Sequence, residues 1–310
     1  MGTPDFAVPS LELLVKSGHT ISAVITSPDK PAGRGLNLHF SPIKILAQQY
    51  SIPILQPPNL KDESFLNQLK KINPDLQVVV AFRMLPELVW SLPKWGTINL
   101  HASLLPNYRG AAPINWAIIN GETETGATTF FLNNQIDTGD IIDNFTIPIL
   151  PDETAGELYK TLMLKGADLL LSTVTKIIEG NVKRTQQNIQ LNFPAKTAPK
   201  IFKNDCRINW NQSVENIYNF IRGLSPYPTA FTEIISHNNT SQFIKIYSSI
   251  FEKTNDYLPY GTIITDNETL KITGNDGDIT IKELQLNGKK RMFTSEFLKG
   301  FKFDHFLKAE

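Results

Sequence analysis

The chain has 310 residues, 41% of them hydrophobic and 19% charged, which is typical of a globular protein large enough for two domains. Its 30 basic residues balance 30 acidic ones, so any RNA contact would have to come from local clusters of charge. A lone cysteine, Cys206, excludes an internal disulfide, and the sequence has neither a membrane-length apolar segment nor a secretory signal at its start. We therefore expect a cytoplasmic protein that contacts no membrane.

Residues 1–180 alternate short apolar segments with amphipathic ones, the pattern of parallel strands connected by helices. The strongest helix is predicted over 154–179, because Thr154 and Glu157 form a capping box and Gly180 can end the helix. The pattern predicts an α/β domain with a doubly wound, mostly parallel, Rossmann-like sheet. Its strands are predicted at 20–26, 52–55, 75–81, 97–100, 126–132 and 140–147.

Residues 181–203 lose this periodicity and contain several basic residues but no acidic one, which indicates a basic linker. A second domain is predicted over 204–310. It begins with a helix over 214–222 that Gly223 can end, and it continues as short β segments separated by turn residues, which favours a small OB-like β-barrel. The predicted strands of this barrel are 230–235, 243–248, 262–265, 270–273 and 279–286.

Asn99 and His101 are the first candidates for chemistry. Side chains alternate along a strand, so these two point to one face of the 97–100 strand, at the end where α/β sheets bind ligands. An isolated Asn-x-His is more often a structural pair. Asp137 lies in the polar turn 133–140, where a carboxylate is most often an ordinary turn residue.

Several blocks, in this order, resemble the methionyl-tRNA formyltransferase family, whose members use 10-formyltetrahydrofolate. The resemblance covers nearly the whole chain and weakens after about residue 235. The blocks are GTPDF at 2–6, PDKPAGRG at 28–35, SLLP at 103–106, RGAAPI at 109–114, IDTGD at 136–140, RINW at 207–210 and IRGLSPYP at 221–228.

The resemblance implies formyl transfer, with Asn99, His101 and Asp137 as catalytic residues. Moving a formyl group between nitrogens passes through a tetrahedral intermediate, whose oxyanion needs hydrogen-bond donors such as Asn99 and His101. Histidine can also carry the transferred proton when a carboxylate orients it, and the resemblance assigns that part to Asp137. Neither a metal nor a covalent nucleophile is required, and the five histidines show no ligand spacing.

By the same resemblance, the folate is expected beside two loops. For the leucines and the methionine among these residues, an ordinary core position is an equally good interpretation. The second loop lacks the Tyr-Gly pair common in the family, so the pterin wall is expected to differ in detail. The expected folate-contacting residues are Ser103, Leu104, Leu105, Pro106, Phe82, Arg83, Met84 and Leu85.

A methionyl initiator tRNA is the expected partner, with no obligatory protein partner evident. The 28–42 segment is longer than a usual strand-to-helix connection, and in the family it engages the acceptor end. Arg34, between two glycines, can reach a phosphate or an unstacked base. Lys30, Lys200 and Lys203 are the further candidates for tRNA binding, although Leu36 and Asn37 replace lysines found in many relatives.

Relatives also have a first strand ahead of the residue equivalent to Gly2. Losing a central strand would expose backbone groups and a hydrophobic face, so we expect the natural chain to begin upstream of Met1.

Three alternatives stay open or are set aside. A formyltransferase acting on a small amine, such as an amino-sugar nucleotide or glycinamide ribonucleotide, would share Asn99, His101 and Asp137. The C-terminal domain and the PDKPAGRG loop favour tRNA over it. A non-catalytic RNA-binding relative would not need the three residues. A dinucleotide enzyme is discounted, because no G-x-G-x-x-G follows an early strand.

Overall fold

The structure is a computed structural model that describes residues 1–32, 37–187, 195–236, 241–254, 258–266, 268–301, 303 and 306–310. It divides into two compact units. The first contains Met1–Gly110, Thr125–Ile147 and Tyr159–Thr197, and the second contains Ala111–Glu124, Pro148–Leu158 and Ala198–Glu310. The boundary expected from the sequence, a linker over 181–203, differs from this division in the two short segments that group with the second unit. No helix in the described part of the chain is long and apolar enough to cross a membrane.

Strands and helices alternate through the first 180 residues. The strands are β1 (Val24–Ile25), β2 (Lys30–Ala32), β3 (Asn37–His39), β4 (Ile54–Leu55), β5 (Gln77–Val80), β6 (Thr97–His101), β7 (Arg109–Gly110), β8 (Glu124–Phe131) and β9 (Ile141–Pro148). The helices are α1 (Val8–Lys16), α2 (Pro42–Gln49), α3 (Glu63–Ile72), α4 (Glu87–Trp90), α5 (Pro113–Ile119) and α6 (Ala155–Ile178).

The strands of the first unit confirm the parallel pairing that was predicted for the α/β domain. β1 and β4 form a two-stranded parallel sheet. A four-stranded sheet has the order β5-β6-β8-β9, in which β5 and β6 are parallel and β8 runs antiparallel to β6. Beneath the sheet, α3 and α4 bury a hydrophobic cluster. Its members are Ile25, Leu60, Phe65, Leu69, Val79, Leu85 and Val89.

Met1 and Gly2 lie between β1 and β5. The Gly2 amide donates to the Ile25 carbonyl at 3.1 Å, and the Val80 amide donates to the Met1 carbonyl at 2.9 Å. Met1 and Gly2 thus form backbone hydrogen bonds with both neighbouring strands. Beside them is a cavity of about 400 Å³, and its lining includes Ser10 and Gln77. The Ser10 hydroxyl and the Gln77 amide nitrogen are buried without a hydrogen-bond partner in the described part of the chain.

The predicted capping box of α6 is present. The Thr154 amide donates to the Glu157 carboxylate at 2.9 Å, and the Glu157 amide donates to the Thr154 hydroxyl at 3.3 Å. Gly180 follows the helix with a φ of +71°, a left-handed conformation that glycine adopts without steric cost. The sequence therefore specifies both ends of this helix.

The chain from residue 197 onward contains the remaining elements. These are β10 (Thr197–Ala198), β11 (Ala230–Ser236), β12 (Ser241–Lys253), β13 (Ile263–Thr265), β14 (Leu270–Thr273), β15 (Gly277–Leu286), β16 (Met292–Phe293) and β17 (Phe306–Ala309), with α7 (Val214–Leu224) and α8 (Thr294–Leu298). The sheet runs in the order β13-β14-β15-β12-β11-β17, and an antiparallel bridge between Thr262 and Lys308 joins its two ends. This confirms the predicted small β-barrel.

The predicted end of α7 at Gly223 is wrong. The helix continues through Gly223 to Leu224, and the glycine serves close packing instead. A Cβ at Gly223 would lie 2.7 Å from a side-chain carbon of Ile119, which is too close for any other residue type without a shift.

Candidate active site

His101, the last residue of β6, has both ring nitrogens directed at other parts of the chain. Its Nε2 lies 2.8 Å from the carbonyl oxygen of Tyr108. Because a carbonyl only accepts hydrogen bonds, Nε2 carries the proton in this contact. Its Nδ1 faces the Asp137 carboxylate at 3.7 Å, and the two side chains are only 7% and 12% exposed. The structure thus brings together two residues that are 36 positions apart.

Asp137 is held in an unusual backbone conformation, with a φ of +54°. Its carboxylate accepts a hydrogen bond of 3.0 Å from the Gly110 amide, so the loop after β6 and the turn before β9 are joined at this residue. Gly139 makes the turn possible. A Cβ there would lie 1.6 Å from the Phe131 carbonyl oxygen.

Asn99 lies two residues before His101 on β6 and is half-buried. Ile98 and Leu100, which alternate with it, are 0% and 3% exposed on the opposite face. That alternation confirms the predicted strand, and it places Asn99 on the His101 face. The Asn99 side chain makes no hydrogen bond to the residues that the structure describes, so its amide can serve a ligand.

The loop over residues 103–110 is pinned to β8. The Thr128 hydroxyl donates to the Ser103 carbonyl at 2.7 Å and accepts from the Leu105 amide at 3.2 Å. The Ser103 hydroxyl donates to the Asn107 carbonyl at 2.7 Å, and the Ser103 residue is fully buried. Leu105 is buried as well, whereas Leu104 and Pro106 are half-buried. Leu104 and Pro106 are therefore the members of this block with surface to offer a ligand.

The second expected folate loop divides in the same way. Leu85 is 6% exposed and belongs to the hydrophobic cluster under the sheet, whereas Met84 is 68% exposed. The Arg83 guanidinium donates to the carbonyls of Pro57 and Pro58, and it lies 5.6 Å from the Phe82 ring centroid. Arg83 thus braces its own loop, while Met84 and the half-buried Phe82 remain accessible.

The residues expected to contact tRNA lie on both units. Lys30 is exposed at the start of a hairpin in which β2 pairs with β3, and Arg34 lies outside the described residues. In the second unit Lys200 and Lys203 are exposed, and the Lys200 ammonium lies 5.1 Å from the Phe202 ring centroid.

A hydrogen-bonded network fixes the base of the β2–β3 hairpin. The Lys44 ammonium donates to the Asp29 carboxylate and, at 2.9 Å, to the side-chain oxygen of Gln56. The Gln56 amide nitrogen in turn donates to Asp29 at 2.9 Å and to the Ser27 carbonyl at 2.8 Å.

Two polar residues beside Asp137 had no role in the sequence analysis. The Arg109 guanidinium donates to the side-chain oxygen of Gln187, and burial lowers the pKa of Arg109 while the nearby Asp137 carboxylate raises it. Arg109 belongs to a matched block and could have been singled out. Gln187 lies in the polar stretch after α6, where no pattern distinguished it. Among the described residues, no group of three or more histidines, cysteines and carboxylates could hold a metal ion.

Family models and named relatives give the family of this chain. Residues 1–174 match the model described as formyl transferase, and residues 200–302 match the model of the formyl transferase C-terminal domain. The chain therefore belongs to the formyl transferase family. Among its relatives, the methionyl-tRNA formyltransferase of Bacteroides thetaiotaomicron is 50% identical over 306 residues, which cover 97% of this chain and 94% of the relative. The methionyl-tRNA formyltransferase of Flavobacterium johnsoniae is also 50% identical, covering 98% of this chain and 95% of the relative.

Solved structures of other formyltransferases share the fold. A sugar 3N-formyl transferase, crystallised in the presence of dTDP and 5-N-formyl-THF, superposes with a TM-score of 0.64 at 25% identity. The superposition covers 93% of this chain and 97% of that one. An N-formyltransferase from Helicobacter canadensis, in complex with folinic acid and dTDP-3-aminofucose, gives the same TM-score at 24% identity.

Proposed function

We propose that this chain transfers the formyl group of 10-formyltetrahydrofolate to the α-amino group of methionyl initiator tRNA, in the cytoplasm, for translation initiation. The observation that carries the proposal is the contact between His101 and Asp137, with Asn99 on the same face of β6. The names of the full-length relatives, methionyl-tRNA formyltransferases at 50% identity, support the choice of substrate.

The geometry supports a direct transfer assisted by proton movement. A carbonyl oxygen already lies 2.8 Å from His101 Nε2, which is the separation that a formyl oxygen would need to accept the same hydrogen bond. Asn99 can donate to that oxygen from two residues away. The amine nitrogen bonds to the formyl carbon while the bond from that carbon to the folate nitrogen breaks, so the amine loses one proton and the folate nitrogen gains one. His101 can relay this proton through Nε2, which gives its proton to the folate nitrogen and takes up the one that the amine releases. The Asp137 carboxylate, which faces Nδ1, stabilises the ring while it is charged.

For the folate itself, we propose contacts from Leu104, Pro106, Phe82 and Met84, which retain exposed surface. Buried Ser103, Leu105 and Leu85, together with Arg83, shape the two loops. The tRNA is proposed to contact Arg34, Lys30, Lys200 and Lys203, and no metal is needed at any step. An RNA phosphate is recognised by such basic side chains without regard to sequence.

The test compares acceptors directly. The enzyme is incubated with 10-formyltetrahydrofolate and methionyl initiator tRNA, methionyl elongator tRNA, free methionine or a dTDP-amino sugar. Product on the initiator tRNA alone is expected. The sugar arm matters because the structurally similar transferases are crystallised with dTDP or a dTDP-amino sugar, and product there instead would replace the proposed substrate.

His101→Ala is expected to lower kcat about 100-fold or more, because both the donor and the proton carrier are lost. Folate affinity, measured by fluorescence titration, should change little. His19→Ala, a change of the same type away from β6, is the matched control. Retention of full kcat by His101→Ala would refute the proposed mechanism.

A further inference from the structure

Gln187 makes four hydrogen bonds around Asp137. Its side-chain oxygen accepts from Arg109 Nη2 at 2.6 Å and from Arg109 Nε at 3.2 Å. Its side-chain nitrogen donates to the Gly139 carbonyl at 2.8 Å and to the Asp137 carbonyl at 3.1 Å. The amide can face only one way, because guanidinium groups only donate and carbonyls only accept.

The segment that carries Gln187 is itself anchored. Thr185 and Ile141 exchange backbone hydrogen bonds of 2.8 and 2.9 Å, so this segment lies along the start of β9, just after the Asp137 turn. The Arg184 guanidinium also lies 3.9 Å from the ring centroid of Phe131, the residue on which Gly139 packs. These contacts therefore fix the backbone that places Gln187 beside the Asp137 turn.

These contacts stabilise the strained backbone conformation of Asp137. A φ of +54° costs an aspartate about 1 kcal/mol or more, and such conformations persist only where neighbours determine them. The two bonds donated by Gln187 grip the carbonyls of residues 137 and 139. The bonds it accepts fix Arg109, next to Gly110, whose amide holds the Asp137 carboxylate.

We infer that Gln187 is a positioning residue for the transfer reaction. It keeps the Asp137 carboxylate beside His101 by locking the turn of Asp137 and the strand of Arg109 to each other, without touching a reacting atom itself. The role of Gln187 in the reaction rests on the proposed function. Its effect on the position of Asp137 rests on the hydrogen bonds alone.

Two variants distinguish the hydrogen bonds that Gln187 accepts from those that it donates. Gln187→Met keeps the length of the side chain and loses all four hydrogen bonds. Gln187→Glu still accepts from Arg109, but it presents an oxygen to the carbonyls of Asp137 and Gly139. The matched control is Gln186→Met, the same change at the exposed neighbouring position.

Both Gln187 variants should lower kcat about 10- to 100-fold, as a displaced catalytic group does, with KM for folate changed less than about twofold. Hydrogen exchange at the Gly110 amide, measured by NMR, should accelerate in both variants and stay unchanged in Gln186→Met. The midpoint of thermal unfolding should stay close to that of the wild type.

Full kcat in Gln187→Glu would assign the contact to Arg109 alone and overturn the inference. Rises in KM as large as the losses in kcat, or loss of global stability, would mean a general structural role and would also overturn it. The Gly110 exchange measurement needs no substrate. It therefore decides the geometry even if the tRNA proves to be the wrong acceptor.

Discussion

At the scale of single residues, the site depends on one backbone turn. Asp137 lies in the left-handed region, and the turn closes only because Gly139 lets the chain pass against the Phe131 carbonyl. A side chain at position 139 would collide with the Phe131 carbonyl oxygen, a backbone atom that cannot rotate away as a side chain could.

Gly139→Ala should therefore displace the Asp137 turn. We expect a loss of about 1–3 kcal/mol in the free energy of unfolding, as for other overpacked positions, and a loss of kcat that exceeds any change in KM. Urea unfolding and steady-state kinetics check both. Gly300→Ala, where nothing lies within 4 Å of the added methyl, should be close to neutral. Wild-type activity in Gly139→Ala would show that the turn can relax.

The sequence predicted some site residues from a local pattern, another only from family resemblance, and one not at all. Strand alternation alone paired Asn99 with His101, and the buried Ile98 and Leu100 on the other face confirm the period. Asp137 came only from family resemblance, because no local pattern can reveal a contact between residues so distant in the chain. Gln187 could not be predicted for the same reason, since its partners Arg109, Asp137 and Gly139 lie on two other segments.

At the scale of elements, local signals placed α6 and most strands within a few residues. Capping and alternation depend on residues only a few positions apart, so they can be recognised without knowledge of the tertiary structure. Gly223 shows the limit, because a glycine required for close packing inside a helix has the same appearance in a sequence as one that ends it. The short β16, α8 and β17 were not predicted. They are too short to give a period.

The capping box of α6 gives a stability prediction. Thr154→Ala removes the hydroxyl that accepts from the Glu157 amide and should cost about 0.5–2 kcal/mol in the free energy of unfolding. The control is Thr175→Ala near the other end of the same helix. Among the described residues its hydroxyl donates only to the Leu171 carbonyl, so this change should cost less. Equal costs in urea titrations would mean that the cap contributes nothing specific.

The network under the β2–β3 hairpin gives a pH prediction. Hydrogen bonds from Lys44, and then from Gln56, hold the pKa of the Asp29 carboxyl below its ordinary value of 3.8. A lowered folded-state pKa stabilises the fold above the ordinary value, and this stabilisation is lost as the pH falls through the folded-state pKa.

Asp29→Asn should therefore destabilise the protein at neutral pH. The difference in the free energy of unfolding between this variant and the wild type should become smaller as the pH falls from about 5 to about 1. Free energies of unfolding across this range provide the measurement. Asp75→Asn, at a carboxylate whose side chain is 60% exposed, is the control. A difference that stays constant with pH would show that the Asp29 charge has no part in the network.

At the scale of the whole molecule, net charge gives no reason to bind RNA. Thirty positive and thirty negative side chains cancel, so attraction to a phosphate backbone must come from a few exposed lysines and arginines. The number of such contacts can be counted from the dependence of binding on salt.

Lys200→Gln and Lys203→Gln should each weaken tRNA binding about equally for initiator and elongator tRNA. Each should also reduce the slope of log K against log salt by about 0.7–1. Filter binding at several salt concentrations gives both quantities. Lys16→Gln, at an exposed lysine paired with Glu12, should leave the slope unchanged. A slope that responds equally to all three changes would mean diffuse rather than local attraction.

The carbonyl of Tyr108 already occupies the donor proton of His101. Under the proposed function, a formyl oxygen that accepts this hydrogen bond has to displace the Tyr108 carbonyl, which lowers the affinity for the loaded folate. The folate without its formyl group has no oxygen to place there. The proposed mechanism therefore predicts that the Tyr108 carbonyl returns to His101 after transfer and favours release of the used folate.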